Sequence, residues 1–261
     1  MRSLSIAATG MLAQQLNVEV ISNNIANLNT TGFKRKRAEF ADLLYQNLRR
    51  VGSASSDAGT VVPAGVQVGL GVKPTAVYRI PEEGNLVSTD NPLDIAINGR
   101  GYLQVELPTG ETAYTRAGAL QRSSDGTLVT ADGYRVLPGI TIPEDAINVT
   151  INATGEVLVK TQGQVAEQNI GQIQLALFPN EGGLEDVGDN LLLETTASGA
   201  PIVGTPGQNG FGTLQQGFLE TSNVNVVSEI TNLITAQRAY EMNSKVIQTS
   251  DEMLATLSQA R

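Results

Sequence analysis

LSIAATGMLAQQLNVEVISNNIANL, residues 4–28, carries its apolar side chains on a seven-residue repeat. Positions 4, 11, 18 and 25 are Leu, Met, Val and Ile, and positions 7, 14, 21 and 28 are Ala, Gln, Ile and Leu. Only Gln14 breaks the apolar character of these two rows, so the stretch reads as a helix with a coiled-coil-like stripe. Such a helix is about 40 Å long at about 1.5 Å per residue. By itself it is weak. Gly10 lies inside it, and Asn17, Asn23, Asn24 and Asn27 crowd its second half; all are poor helix formers. Before residue 33 only Arg2 and Glu19 are charged. Uncharged amides and hydroxyls in place of a solvated charged face point to a helix packed among other helices. Alone in water a helix of this kind is marginal, so it is expected to be mobile in the monomer and to order on assembly.

The other end of the chain repeats the pattern. From about Ser222 onward, positions 233, 240, 247 and 254 are Leu, Tyr, Ile and Leu, and positions 236, 243, 250 and 257 are Ala, Asn, Ser and Leu. Ala239, Val246 and Met253 widen the stripe. Between the ends the period changes. Leu103, Val105 and Leu107 alternate with polar residues, as do Ile147, Val149 and Ile151, then Ile173, Leu175 and Leu177. Pro108-Thr109-Gly110, Ser124-Asp125-Gly126 and Ala131-Asp132-Gly133 separate the runs as turns. Short alternating runs between such turns predict an antiparallel β domain. A faint echo relates 126–136 to 155–165, each a Gly followed two residues later by paired Leu and Val. Asn29-Thr30-Thr31-Gly32 ends the first helix; Phe33, Phe40, Leu44 and Leu48 predict a second, shorter helix over 33–48. Residues 51–65 and 198–217 are rich in small residues, Gly and Pro, and read as arms.

The predicted fold is therefore α+β. Long N- and C-terminal helices pack as a coiled-coil-like pair, and a central antiparallel β domain is joined to them by extended arms. The expected divisions are a helical assembly domain (1–32 plus 222–261), a connecting helix and arms (33–84 plus 201–221), and the β domain (85–200).

Composition excludes much chemistry. The 261 residues contain no His and no Cys. That removes Ser-His-Asp and Cys-His catalysis, disulfides, and the common zinc sites. The net charge of −9 argues against nucleic acid as a partner. The basic run Lys34-Arg35-Lys36-Arg37 reads as a solvated or inter-subunit face. Gly65-Val66-Gln67-Val68-Gly69-Leu70-Gly71 has the wrong spacing for a phosphate loop. Asp125-Gly126 and Asp132-Gly133 lack the ligand ladder of a calcium loop. Glu82-Glu83 and Glu185-Asp186 sit among glycines as turns rather than as a carboxylate pair for glycoside chemistry. No catalytic, cofactor or metal site is expected. There is no apolar run long enough to cross a membrane and no continuous apolar signal core near the start. The chain is expected either to stay in the cytoplasm or to leave by a route that keeps its N-terminus, without direct membrane insertion.

Ser22-Asn23-Asn24-Ile25-Ala26-Asn27 through Gly32-Phe33-Lys34, and Glu229-Ile230-Thr231-Asn232-Leu233-Ile234 through Ala236-Gln237-Arg238-Ala239-Tyr240-Glu241, resemble the two terminal signatures of bacterial flagellar axial proteins, the rod and hook subunits. The stretches 91–102 and 114–118 are similar to the first β domain of the longer members. One β domain in a chain of this length resembles the distal-rod type most closely. The resemblance implies a helical polymer of many copies, exported unfolded by the flagellar export apparatus and assembled in the periplasm as a drive shaft between motor and hook. It implies terminal helices on the inner wall, the β domain outward, and proximal-rod subunits, hook subunits and surrounding ring proteins as neighbours. On that reading the assembly residues are Leu4, Met11, Val18, Ile21, Ile25, Leu28, Ile230, Leu233, Tyr240, Ile247 and Leu254. A rod-type arm that separates a rigid rod from a bendable hook includes Val51, Gly52, Asp57, Pro63 and Gly65.

The competing class is a monomeric β-rich binding protein or carboxylate hydrolase with helical ends. Hydrogen exchange on the purified monomer separates the two. The assembly reading predicts unprotected amides over 1–30 and 225–261 with a protected β domain. Protected termini in a chain that never polymerises would contradict it.

Overall fold

The computed structural model describes residues 2–49, 64–164 and 166–259. The chain divides into two compact units, and it passes between them four times. One comprises Met1–Ile25, Lys36–Tyr78 and Asn225–Arg261; the other comprises Ala26–Arg35 and Arg79–Val224.

In the first unit the two expected helices are present, α1 over Arg2–Ala26 and α2 over Val226–Gln259. Asn225 caps α2: its side-chain oxygen accepts the Ser228 N–H at 3.1 Å, and its carbonyl accepts the Glu229 N–H at 3.0 Å. An Asn in this position satisfies donors that the first helical turn leaves unpaired. The helix predicted over 33–48 is not formed. Lys36–Asp42 and Tyr45–Arg49 are strands, paired with Val72–Arg79 and Val66–Gly69 respectively. Tertiary pairing overrides the helical spacing here. The Lys36 backbone is bonded in both directions by the Asn24 amide, and the partner strand is rich in residues that favour extended chain (Val72, Thr75, Val77, Tyr78). Extension also lays the Arg37 guanidinium over the Tyr78 ring, 5.2 Å from its centre. Of the arm expected over 51–65, Val51, Gly52, Asp57 and Pro63 lie outside the described residues. Gly65 leads into the strand Val66–Gly69.

The second unit holds the antiparallel β structure. Tyr102–Glu106 pairs with Thr112–Thr115, Arg135–Val136 and Leu175–Leu177. Its alternation resolves into two faces. Leu103 and Val105 enter the main core with Ile95, Ile97, Leu120, Leu128, Ile173 and Leu175. Tyr102 enters a smaller cluster with Tyr114, Phe178, Leu184 and Leu192. There the Phe178 ring meets Tyr114 edge to face at 4.7 Å and Tyr102 at 6.1 Å.

The return arm expected over 201–221 is a correction of the same kind. Ile202–Gly204, Thr213–Gln216 and Phe218–Glu220 are short strands that pair with Leu175–Leu177, Ile95–Asn98 and Leu86–Ser88. Runs this short among Gly and Pro carry too little alternation to read from sequence, and their partners supply the order.

The echo between 126 and 155 is a repeated turn. Ser123 N–H bonds the Thr127 carbonyl and Asn152 N–H the Glu156 carbonyl, both at 2.9 Å. Ile142 N–H bonds the Gly126 carbonyl and Ile173 N–H the Gly155 carbonyl, both at 2.7 Å. Gly126 and Gly155 have φ of +79° and +85°, and a Cβ on either lies 2.5 Å from the Ile142 or Ile173 carbonyl oxygen. Glycine is required twice, both for the left-handed backbone and for the space.

Candidate functional site

The terminal helices run antiparallel and touch at intervals of seven residues or a multiple of seven. Ser250 Oγ lies 3.3 Å from Ser3 Oγ. Asn243 covers Gly10, where a Cβ would stand 2.9 Å from its side-chain nitrogen. The Asn24 Nδ2 donates to Glu229 Oε2 at 3.1 Å. Ala236, seven residues before Asn243 on α2, is buried. These contacts are small and polar: Ser3, Gly10 and Asn24 against Ser250, Asn243 and Glu229.

The predicted assembly residues flank this row. Ile21 is buried; Leu4, Met11, Val18, Ile25, Leu28, Leu233 and Ile247 are half-buried; Ile230, Tyr240 and Leu254 are exposed. Sequence reasoning found the period and missed which row touches. The signal is Gly10, a poor helix former whose missing side chain lets the helices approach. Beyond these residues, α2 also exposes Val227 at 76 %, Met242 at 68 %, Met253 at 59 % and Ile234 at 45 %. A helix that leaves this many large apolar side chains exposed belongs inside a larger assembly.

Asn24 and Glu229, one from each terminal signature, are 1 % and 6 % exposed. The Asn24 amide is held by the Lys36 backbone, accepting its N–H and donating to its carbonyl, both at 2.8 Å. The second Nδ2 hydrogen goes to Glu229, so both donors of the amide are used.

In the other unit the remaining signature residues converge on Glu220, which is 1 % exposed. Its Oε1 pairs with the Lys34 ammonium and accepts the Gly84 N–H at 2.9 Å. Its Oε2 accepts from Arg116 Nε at 2.7 Å. Arg116 spends its other donors on the carbonyls of Ile97, Gly99 and Gly101 at 3.0–3.1 Å. Lys34 also donates to the Glu82 carbonyl at 2.7 Å. Gly32 N–H bonds the Glu220 carbonyl at 2.8 Å. Asn223 accepts the Arg35 N–H at 2.7 Å and donates to the carbonyls of Ile80 and Glu82. Burial pushes the Glu220 carboxyl up, but Arg116 and then Lys34 outweigh it and hold the group below its ordinary value. Burial and then Arg116 hold the Lys34 ammonium below its own, against the pull of Glu220.

No group of three or more acidic side chains spaced to hold a metal occurs among the described residues. No helix among them is long and apolar enough to cross a membrane. Glu82 and Glu83 are engaged with Arg35 and the Gly99 N–H, and Asp186 pairs with Arg79.

Three family descriptions match the chain. They are the flagella basal body rod protein over residues 4–34, the flagellar hook protein FlgE/F/G D1 domain over 96–159, and the flagellar basal body rod FlgEFG protein C-terminal region over 215–260. The flagellar basal-body rod protein FlgG of Caulobacter vibrioides is 63 % identical over the whole of both chains. That of Agrobacterium fabrum is 54 % identical over 99 % of this chain and 98 % of its own. That of Bacillus subtilis is 41 % identical over 98 % of each.

Replacing Glu220 by Gln strands two buried cations, and is expected to cost about 3–5 kcal/mol at neutral pH. Urea denaturation of the full chain, followed by tyrosine emission, measures this. Because the folded-state carboxyl titrates below its ordinary value, its contribution is present above the ordinary carboxylate range and is lost as pH falls through the depressed value. The Gln variant should lack that part of the acid limb.

Proposed function

The chain belongs to the flagellar basal-body rod protein family, a structural subunit rather than an enzyme, and from that premise we propose that it is a distal-rod subunit polymerised through its terminal helices. The polymer is a helical tube that carries torque from motor to hook and forms part of the export channel. Residues 1–32 and 222–261 act as the assembly domain, with Leu4, Met11, Val18, Ile21, Ile25 and Leu28 working with Ile230, Leu233, Tyr240, Ile247 and Leu254. Proximal-rod and hook subunits, the surrounding ring proteins and the export apparatus are the neighbours this role requires.

The observation that carries the proposal is the set of large apolar side chains that α2 leaves exposed, Val227, Ile230, Ile234, Met242 and Met253. Val227 and Ile234, seven residues apart and opposite the side that meets α1, need a second partner, and in a homopolymer the partner is another copy. A contact between unlike surfaces of identical copies, where its rotation does not close a ring, generates an open helical filament. The low charge of α1 fits a wall built of helices.

Val227 and Ile234 are exposed in the single chain, so replacing both by Glu should leave the monomer's helicity and the melting of the β unit unchanged. Each apolar side chain buried between copies is worth about 1.5–3 kcal/mol. The double variant should therefore raise the critical concentration for polymerisation by at least about 100-fold. Sedimentation of polymer against total protein measures this. Polymerisation at the unsubstituted concentration would show that this side of α2 is not an interface.

A further inference from the structure

We propose that residues 213–223 are a closing strap, the last part of the β unit to dock, and that the unit stays open until they arrive. The strands from Tyr102 to Gln172 are built largely of hairpins. Tyr102–Glu106 pairs with Thr112–Thr115, and Leu128–Thr130 pairs with Leu120–Arg122 on one side and Arg135–Val136 on the other. Glu156–Thr161 pairs with Ala146–Ile151 and Gln168–Gln172. Each of these pairings joins neighbours in sequence, so little chain entropy is lost before the first bonds form.

The front of the unit is built otherwise. Leu86–Ser88 and Ile95–Asn98 each belong to a two-stranded sheet whose other strand lies in the strap. Gly84 N–H and the Asn85 carbonyl bond the side chains of Glu220 and Thr221, 136 residues away. Leu214 of the strap packs into the main core with Ile95 and Ile97. Gln216 joins three places at once. Its side chain donates to the carbonyls of Pro92 at 2.7 Å and Val149 at 2.8 Å, and accepts the Ile151 N–H at 3.0 Å. Glu220 brings the carboxylate that answers the buried Arg116 guanidinium. These contacts need the front strands and the hairpins already side by side, and closing so long a loop is rewarded only when many of them form together.

The strap runs directly into the Asn225 cap and α2. On the assembly reading, a chain delivered through the channel N-terminus first cannot close its β unit until only the segment that forms α2 is still to come. The unit would then close just as the polymerising helix arrives. That consequence rests on the assembly reading; the order of docking is a property of the single chain.

Refolding and unfolding rates of the full-length chain across a urea series, followed by tyrosine emission, test the order. Leu214→Ala and Gln216→Ala alter the strap, and Val105→Ala alters the first hairpin. A strap that docks last leaves refolding within about twofold of the unsubstituted rate in both strap variants and speeds their unfolding at least about tenfold, whereas Val105→Ala slows refolding at least about fivefold. Gln216→Ala, which removes only side-chain hydrogen bonds, decides the matter if Leu214→Ala does not fold. Strap variants that slow refolding as much as Val105→Ala does, or a Val105→Ala chain that refolds at the unsubstituted rate, overturn the proposal. A chain that shows the expected rates yet never polymerises overturns the assembly reading and leaves the strap standing.

Discussion

A carboxylate almost without access to water, Glu220, is the constraint on which the β unit depends. It divides its two oxygens between Lys34 and Arg116 and takes a backbone N–H from Gly84. These groups come from four parts of the chain far apart in sequence, so the knot is satisfied only when the entering segment, the first strands and the last strand are all in place. Partial satisfaction is costly, because a buried charge without its partner is worse than an apolar substitute. The unit is accordingly tied shut by its last strand. Phe218–Glu220 and Thr213–Gln216 pair with Leu86–Ser88 and Ile95–Asn98, strands laid down more than a hundred residues earlier.

The helical unit obeys a different economy. Its inner contacts join small and amide side chains, with the Asn24–Glu229 bond at one end, and α2 leaves Val227, Ile230, Ile234, Met242 and Met253 exposed. The β unit carries its own core, with Ile95, Leu103, Val105 and Leu175 wholly buried. The helices carry little of one. A rod subunit so divided has one part that is complete alone and another that reaches full burial only among neighbours, which suits polymerisation after export.

Much of this was legible in the sequence, and the misses have physical causes. The seven-residue rows located α1 and α2, because a helix buried along one side must repeat near that period. The alternation at Leu103, Val105 and Ile173, Leu175 located strands, and the Gly126 and Gly155 echo marked a turn that the backbone repeats bond for bond. The spacing of Phe33, Phe40, Leu44 and Leu48 misled, since a few apolar residues three or four apart fit a helix as readily as two short strands. What decided between them was a long-range partner, the strand Val72–Arg79, which no local pattern announces. The Glu220 knot was invisible for the same reason. Lys34 read as one of four basic residues in a solvated run, and its burial follows only from the distant carboxylate.

The central claim is that the terminal helices, not the β unit, hold the polymer together. Electron cryo-microscopy of polymer grown from the purified chain, at a resolution that separates side chains, tests it most directly. The account predicts Val227 and Ile234 of one copy buried against terminal helices of its neighbours. Continuous contacts through the β units, with that side of α2 still open to solvent, would contradict it.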